Sequence, residues 1–203
     1  MAVQSPPPDP SVTKLFDLIQ AQRISAVIYV AARLDVADHL ADGPETAKCV
    51  DAAADHPGPV YCRFSRTNVP TITPPDAPFR IGRAQVLRDG SDVALIGCGI
   101  MVARCLQAAE ALSKEGVDAR VINLSTVKPL DVSAVDKASR ETGAIVTAEE
   151  HTIVHGIGSA VATALAENHP APLGMVGVRD VFGESGEADE LLTKYGLTAE
   201  RIA

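Results

Sequence analysis

The stretch DVALIGCGIMVARCLQAAEALSKEGVDARVINL, residues 92–124, decides the fold of this 203-residue chain. It opens with an apolar run at 93–96 that is long enough for a buried strand and is then interrupted by two glycines. Apolar residues recur at helical spacing over 100–114, and Gly116 stands where a glycine usually follows a helix. A second apolar run completes the pattern at 119–124. Strand, turn, helix and strand predict a parallel βαβ unit with a right-handed crossover.

Strands and helices alternate along the rest of the C-terminal part of the chain. Besides the elements above, the apolar patterns predict strands at 84–87, 144–148 and 173–178, and helices at 132–142, 159–167 and 187–195. A parallel sheet must be covered on both faces, so the predicted fold class is α/β, a three-layer α/β/α domain with a mostly parallel sheet. The turn at Asp89 and Gly90 predicts a hairpin into the central strand and an antiparallel first strand at the sheet edge.

The residues that precede this domain have a different character. Residues 1–10 are rich in proline and predict a disordered or extended tail. Apolar residues at helical spacing over 11–46 predict a short helical segment, which needs a partner surface because so much of it is apolar. Downstream we predict a helix at 45–54, a short strand at 60–64 and an extended, proline-punctuated linker at 69–83.

Composition limits the possible partners and locations of the chain. The formal net charge is −8 and the pI is about 5.1, which argues against binding to nucleic acid or to an anionic membrane surface. Aromatic residues make up only 3% of the chain, so the core must be aliphatic. No apolar run has membrane-spanning length, and the first residues lack the features of a signal peptide. We therefore expect a cytoplasmic protein.

The four cysteines do not indicate a metal site. Cys49, Cys62, Cys98 and Cys105 form no CxxC pair, and no histidine follows them at zinc-ligand spacing. We interpret them as small apolar residues in a reducing compartment.

The N-terminal segment KLFDLIQAQRISAVIYVAARLDVADHLADGPETA, residues 14–47, resembles the dimerisation segment of SAM-dependent O-methyltransferases. The resemblance covers about 11–46 and implies a helical segment that intertwines with a second subunit. It does not continue further, because the Gly-x-Gly pairs that begin at Gly97 and Gly156 lack the setting of a SAM loop. We therefore reject methyltransferase activity, and we interpret Gly97 as a site of close packing rather than of anion binding.

Four further motifs, which follow one another in order, carry a stronger resemblance. They are DHPGPVYCRFSR (55–66), ARVINLSTVKPLD (119–131), ETGAIVTAEEHTIVHGIGSAVA (141–162) and VGVRDVFGESGEADELLTKYGLT (176–198). Together they resemble the C-terminal part of the transketolase family, in its short or split form, over about 47–203. The resemblance implies a remnant of the pyrimidine-binding domain at 47–68, an inter-domain linker at 69–83 and the C-terminal domain at 84–203.

Members of that family use thiamine diphosphate and Mg²⁺, and the resemblance indicates that this chain does not encode their site. The Gly-Asp-Gly motif that holds the diphosphate and its metal is absent, and the N-terminal segment replaces the region of the activating glutamate. We therefore assign no catalytic, cofactor-binding or metal-binding residue.

One residue of the matched motifs is a candidate for substrate binding. The resemblance matches Arg66 to an arginine that contacts the phosphate of sugar phosphates. This role suits a guanidinium, which grips a phosphate with two parallel hydrogen bonds. The alternative is a surface arginine that follows a strand.

One predicted loop, 149–158, contains the other candidate site residues. Glu149, Glu150, His151 and His155 follow a strand, where the sites of α/β proteins often lie. A carboxylate beside an imidazole suits acid–base chemistry, and two histidines at this spacing suit a metal ion on a helix. We favour instead a solvated or subunit-contact loop. The resemblance places a glycine where this chain has His155.

Three functional hypotheses follow. The first is the C-terminal portion of a transketolase-like transferase, as in the pentose phosphate pathway, that acts on sugar phosphates only with a partner. That partner is a second copy of the chain, as in a homodimer, or a complementary transketolase subunit. The second is a non-catalytic oligomerisation or interaction module, and the third is a chimeric fragment without activity. The join of two unrelated resemblances near residue 46 favours the last two. We adopt the first for family and fold, and expect no catalysis by the chain alone.

Overall fold

The computed structural model of the chain describes residues 43–64 and 70–203. Its elements are α1 (Gly43–Ala54), β1 (Gln85–Arg88), β2 (Val93–Gly97), α2 (Met101–Lys114), β3 (Ala119–Asn123), α3 (Val132–Thr142), β4 (Ile145–Thr152), α4 (Ile157–Glu167), β5 (Leu173–Val178), α5 (Ala188–Lys194) and α6 (Ala199–Ile202). The tail predicted at 1–10 and all but the last residues of the segment predicted at 11–46 lie outside the described residues. Within the described ranges, no helix is both long and apolar enough to cross a membrane.

The strands form one sheet in the order β1-β3-β2-β4-β5. Strands β3, β2, β4 and β5 are parallel, and β1 is antiparallel to β3 at the edge. The predicted antiparallel edge strand is confirmed, but the predicted hairpin between β1 and β2 is wrong. The amides of Ser91 and Asp92 donate to the Asp118 carbonyl at 3.1 and 2.9 Å. These bonds hold the connection against the start of β3, so that β3 lies between β1 and β2.

Helices cover both faces of the sheet, which confirms the predicted three-layer fold class. Helices α3 and α4 cover one face, where Ile96, Ile145 and Val161 are almost completely buried. Helices α2 and α6 cover the other face, where Leu95 and Met101 are buried. The buried hydrophobic side chains of the described residues include no aromatic ring, as the composition predicts.

The turn between β2 and α2 depends on a glycine for close packing. A Cβ atom at Gly97 would lie 2.9 Å from the Val102 Cα atom and 3.1 Å from the Cys105 Sγ atom. Any side chain there would push α2 away from the sheet, so the interpretation of close packing is confirmed. After α2, Gly116 has a φ of 84°, which lets the chain leave the helix in the left-handed conformation.

Asp131 joins the start of α3 to the edge strand. Its Oδ1 atom accepts a hydrogen bond from the Ala134 amide at 3.1 Å as the helix N-cap, and its Oδ2 atom accepts one from the Ala84 amide at 3.0 Å. Burial by itself raises the pKa of the Asp131 carboxyl, but hydrogen bonds from the Ser133 hydroxyl and these two amides outweigh burial and lower the pKa. The ionised carboxylate therefore stabilises the fold.

The strand predicted at 60–64 is wrong. The helix predicted at 45–54 is confirmed as part of α1, but the residues after it are irregular, and Tyr61 is 89% exposed. A strand is stable only when its backbone groups pair with a neighbouring strand. No strand in residues 43–64 or 70–203 pairs with this segment.

The loop predicted at 149–158 is much shorter in the structure. Strand β4 continues to Thr152, with an irregularity in its pairing with β5 between Ala148 and Thr152, and α4 begins at Ile157. The irregularity lets the strand continue after the apolar run has ended, because the Ile153 amide still donates to the Val178 carbonyl at 3.0 Å. Two of the candidate site residues and the buried Glu149 are therefore strand residues.

Candidate functional site

The fold positions a candidate site at the carboxyl ends of β2 and β4. Strands β3 and β4 lie on opposite sides of β2, and the helices that follow β2 and β4 cover opposite faces of the sheet. Ligands of parallel sheets bind in the crevice where neighbouring connections leave in opposite directions. We call the residues around this point the switch-point cluster: Glu45, Arg63, Cys98, Asn123 and Glu149.

Glu149 caps helix α4 and is only 3% exposed. Its Oε2 atom accepts a hydrogen bond from the Ile157 amide at 2.8 Å, and its Oε1 atom accepts one from the Gly158 amide at 3.0 Å. The first amides of a helix have no partner within the helix, and a negative charge there also interacts favourably with the helix dipole. A side chain at Gly156 would collide with this carboxylate. The interpretation of Glu149 as a solvated loop residue is therefore wrong.

Glu150, His151 and His155 make mainly local contacts. The Glu150 carbonyl accepts a hydrogen bond from Arg63 Nη2 at 3.2 Å, and His151 Nδ1 lies 2.9 Å from the Thr152 carbonyl oxygen. His155 is exposed and has a φ of 61°, a conformation that glycine adopts without strain. The side chain is thus added to a tight backbone turn that keeps its shape.

The described residues do not assemble the two chemical sites that the sequence suggested for this segment. The Glu149 carboxylate is held by amides of α4, whereas the exposed His151 imidazole contacts backbone, so the two form no hydrogen-bonded acid–base pair. Within 43–64 and 70–203, no group of three or more histidine, cysteine, aspartate or glutamate residues is placed to hold a metal ion. His151 and His155 therefore lack the further ligands that a metal site needs.

Glu45 ties α1 to the carboxyl end of β3. Its Oε1 atom accepts hydrogen bonds from Asn123 Nδ2, at 2.8 Å, and from the Ser125 hydroxyl. Asn123 is only 2% exposed, and a buried amide needs such a partner. Our sequence analysis missed this contact, although a polar residue inside the apolar run 119–124 was a signal that pointed to it. The crevice is therefore closed on this side by residues of the upstream segment.

Cys98 lies inside the cluster and is chemically inert. Burial and then the Glu149 carboxylate raise the pKa of the Cys98 thiol to about 11; Arg63 opposes this effect and Glu45 adds to it. At neutral pH the thiol stays protonated, and a protonated thiol is a poor nucleophile and metal ligand. The position agrees with the prediction of a small apolar residue.

Arg66, the residue matched to a phosphate contact, lies in 65–69, outside the described residues. The last described residue before it is Phe64, which is 37% exposed. The role of Arg66 stays a prediction.

Comparison with known proteins identifies the family of the domain. The family model "Transketolase, C-terminal domain" matches residues 82–202. The chain belongs to the transketolase C-terminal domain family. The match includes all five strands of the sheet and both helical layers, so the family and the observed α/β fold agree. Helix α1 and the irregular residues that follow it precede the match.

Curated relatives of this transketolase-family chain are named as subunits. It is 49% identical over 147 residues to the 6-deoxy-6-sulfo-D-fructose transketolase subunit SqwH of Clostridium sp., which covers 72% of this chain and 46% of that protein. It is 40% identical over 162 residues to a subunit of the apulose-4-phosphate transketolase of Phocaeicola vulgatus, which covers 79% of this chain and 52% of that protein. The chain spans about half the length of these relatives.

A solved structure shows the same fold at high sequence identity. It is described as a split gene transketolase, inactive beta4 tetramer, and shares 47% identity with this chain at a TM-score of 0.78. The likeness covers 80% of this chain and 54% of that one. The chain is therefore similar to the C-terminal portion of a split-gene transketolase subunit.

The described residues do not fit thiamine diphosphate, the cofactor that the transketolase family implies. They include no group able to hold the metal ion that accompanies a diphosphate. The polar side chains at the crevice are already committed, because Glu45 binds Asn123 and Glu149 binds the amides of α4. We therefore assign the cofactor to no residue in this part of the chain.

Proposed function

We propose that this chain is the C-terminal part of a thiamine-diphosphate-dependent transketolase that acts on sugar phosphates and is inactive without a complementary chain. The observation that carries the proposal is the match of 82–202 to the family, in a chain that spans about half of its curated relatives. A supporting observation is that the polar groups at the crevice hold the fold together. The complementary chain supplies the thiamine site.

Within this proposal, residues 47–68 are a remnant of the pyrimidine-binding domain, 69–83 are a linker, and the protein is cytoplasmic. Polar contacts support a fixed position for the remnant. Lys48 Nζ donates to the carbonyls of Pro75 and Ala77 at 2.6 and 2.5 Å, and Arg63 donates to the Glu150 carbonyl. The substrate phosphate binds Arg66, three residues beyond Arg63. Residues 11–46 are the dimerisation segment.

An activity measurement with and without a partner tests the proposal. The purified chain, given thiamine diphosphate, Mg²⁺, a ketose phosphate and an aldose phosphate, transfers no ketol group. Addition of a chain that carries the thiamine-binding half of a split transketolase restores turnover. Turnover by the chain alone contradicts the proposal, and so does a failure of such partners to bind it.

The role of Arg66 has its own test in the reconstituted enzyme. Arg66→Ala raises KM for the sugar phosphate by about tenfold or more, because one charge-assisted interaction with the phosphate is lost. Arg80→Ala, at an exposed arginine of the linker, leaves KM unchanged. Equal effects of the two substitutions contradict the assignment.

A non-catalytic oligomer is the second candidate function, and one comparison favours it. The solved structure at 47% identity is described as an inactive beta4 tetramer. Light scattering on the purified chain distinguishes the candidates when it is combined with the reconstitution above. An oligomer that binds no complementary chain and gains no activity supports the second candidate.

A further inference from the structure

A cavity of about 330 Å³ lies beside strand β5. The end of β5, the segment that follows it and the helices α5 and α6 line this cavity, and none of the switch-point cluster residues does. Its volume is in the range of small-molecule sites in proteins. We call it the β5 cavity.

The charges at the β5 cavity are all positive. Arg179, Lys194 and Arg201 line it, and no aspartate or glutamate does. Lys194 is already paired, because its Nζ atom lies 2.6 Å from Glu184 Oε2. Arg179 and Arg201 make no hydrogen bond or ion pair with any of the residues that the structure describes. Two unpaired guanidinium groups thus share one cavity in a chain whose formal net charge is −8.

This arrangement selects the chemistry of a ligand. Guanidinium groups bind phosphate through paired hydrogen bonds, and two of them balance the two negative charges of a phosphate monoester. A ligand of this kind also removes the repulsion between two like charges that have no counter-ion in the cavity.

The rest of the cavity wall is apolar and suits the carbon skeleton of such a ligand. Met175, Val176 and Val181 contribute aliphatic surface, and Tyr195 contributes an aromatic ring. The Tyr195 hydroxyl donates to the Phe182 carbonyl at 3.3 Å, which holds the segment after β5 against α5. The wall therefore has a defined shape next to the two arginines.

We infer that the β5 cavity binds a small phosphate monoester, with Arg179 and Arg201 on the phosphate and the apolar wall against the carbon skeleton. This site is separate from the phosphate contact proposed for Arg66, because it is built from a different segment. It does not depend on catalysis or on a complementary chain.

Isothermal titration calorimetry of the purified full chain with glucose 6-phosphate at low salt tests this inference. Saturable binding of glucose 6-phosphate is expected, and glucose, which lacks the phosphate, gives no binding. Arg179→Gln and Arg201→Gln each weaken the binding by about ten- to a hundredfold, which is the usual effect of removing a hydrogen bond to a charged group. Both side chains are exposed, so folding is retained and far-UV circular dichroism checks it.

Two control variants locate the binding. Arg80→Gln removes an exposed positive charge outside the cavity and leaves the affinity unchanged. Arg66→Gln also leaves it unchanged, so the result does not depend on the proposed transketolase function. The inference is overturned if glucose 6-phosphate does not bind, if binding survives both cavity substitutions, or if Arg66→Gln abolishes it.

Discussion

The α/β domain at 84–203 and the segment at 43–64 contain similar apolar runs but have different structures. In the domain, the run of β2 is buried, and Leu95 and Ile96 are 0% and 1% exposed. In the segment, the run 60–64 forms no strand, and Tyr61 is 89% exposed. The comparison shows that an apolar run becomes a strand only where the same chain supplies its neighbours.

The two regions are also stabilised by different forces. The domain is held by buried aliphatic side chains on both faces of its sheet, whereas the segment is held to the domain by hydrogen bonds from Lys48, Arg63 and Asn123. A typical hydrogen bond contributes about 1 kcal/mol, and burial of a large aliphatic side chain contributes about 2 kcal/mol or more. Substitutions in the domain should therefore have the larger effects.

The largest effect is expected for a core truncation in the domain. Leu95→Ala should lower the free energy of unfolding by about 3–4 kcal/mol, because it leaves a cavity under α2. Tyr61→Ala, in the exposed segment, should change the same quantity by less than about 0.5 kcal/mol. Urea denaturation measures both. Similar losses from the two substitutions would remove the contrast between the regions.

A smaller loss is expected at the end of β4. Gly156→Ala should cost about 2 kcal/mol, because the added methyl group collides with the Glu149 carboxylate and the Thr152 carbonyl. Gly174→Ala, in β5, is the matched control, since its methyl group meets only Val146 Cγ2 at an ordinary 3.5 Å. Thermal unfolding of the two variants should differ clearly; equal midpoints would show that the cap of α4 is unimportant.

The charge of Asp131 should stabilise the domain by about 1 kcal/mol at pH 7. Its pKa is lowered in the folded chain, so this contribution is fully present above the ordinary aspartate pKa of about 3.9. It is lost as the pH falls through the lowered folded value. Asp131→Asn should therefore be less stable than the parent chain at pH 7 and equally stable in strong acid. A difference that is independent of pH would contradict a role of the charge.

The smallest effect is expected for the charge of Glu149. Glu149→Gln keeps the size of the side chain but removes the negative charge at the start of α4, which should cost about 1 kcal/mol. Glu150→Gln should cost nothing measurable, because Glu150 contributes only its backbone carbonyl to the contacts above. Urea denaturation of the pair distinguishes a helix cap from a general effect of charge.

Local patterns in the sequence predicted the central elements of the domain. The helix at 132–142 was predicted with the bounds that the structure has, since its start and its end are both marked by local residues, Asp131 and Gly143. The apolar periodicity of 92–124 likewise predicted the βαβ unit. Such features depend on residues that are close in sequence.

The wrong predictions depend on contacts between residues that are distant in sequence. The hairpin from β1 to β2 failed because β1 pairs with β3, more than thirty positions along the chain. Glu149 was placed in a solvated loop because its partners, the amides of Ile157 and Gly158, become visible only when α4 is in place. The contact of Glu45 with Asn123 spans 78 positions. No local pattern contains such information.

Isothermal titration calorimetry with thiamine diphosphate and Mg²⁺ tests the central claim most directly. That claim is that this chain carries a complete C-terminal domain but no cofactor site. The account predicts no saturable heat of binding to the purified chain, whereas the complex with a complementary thiamine-binding chain binds the cofactor. Saturable binding of thiamine diphosphate by the chain alone would contradict the account.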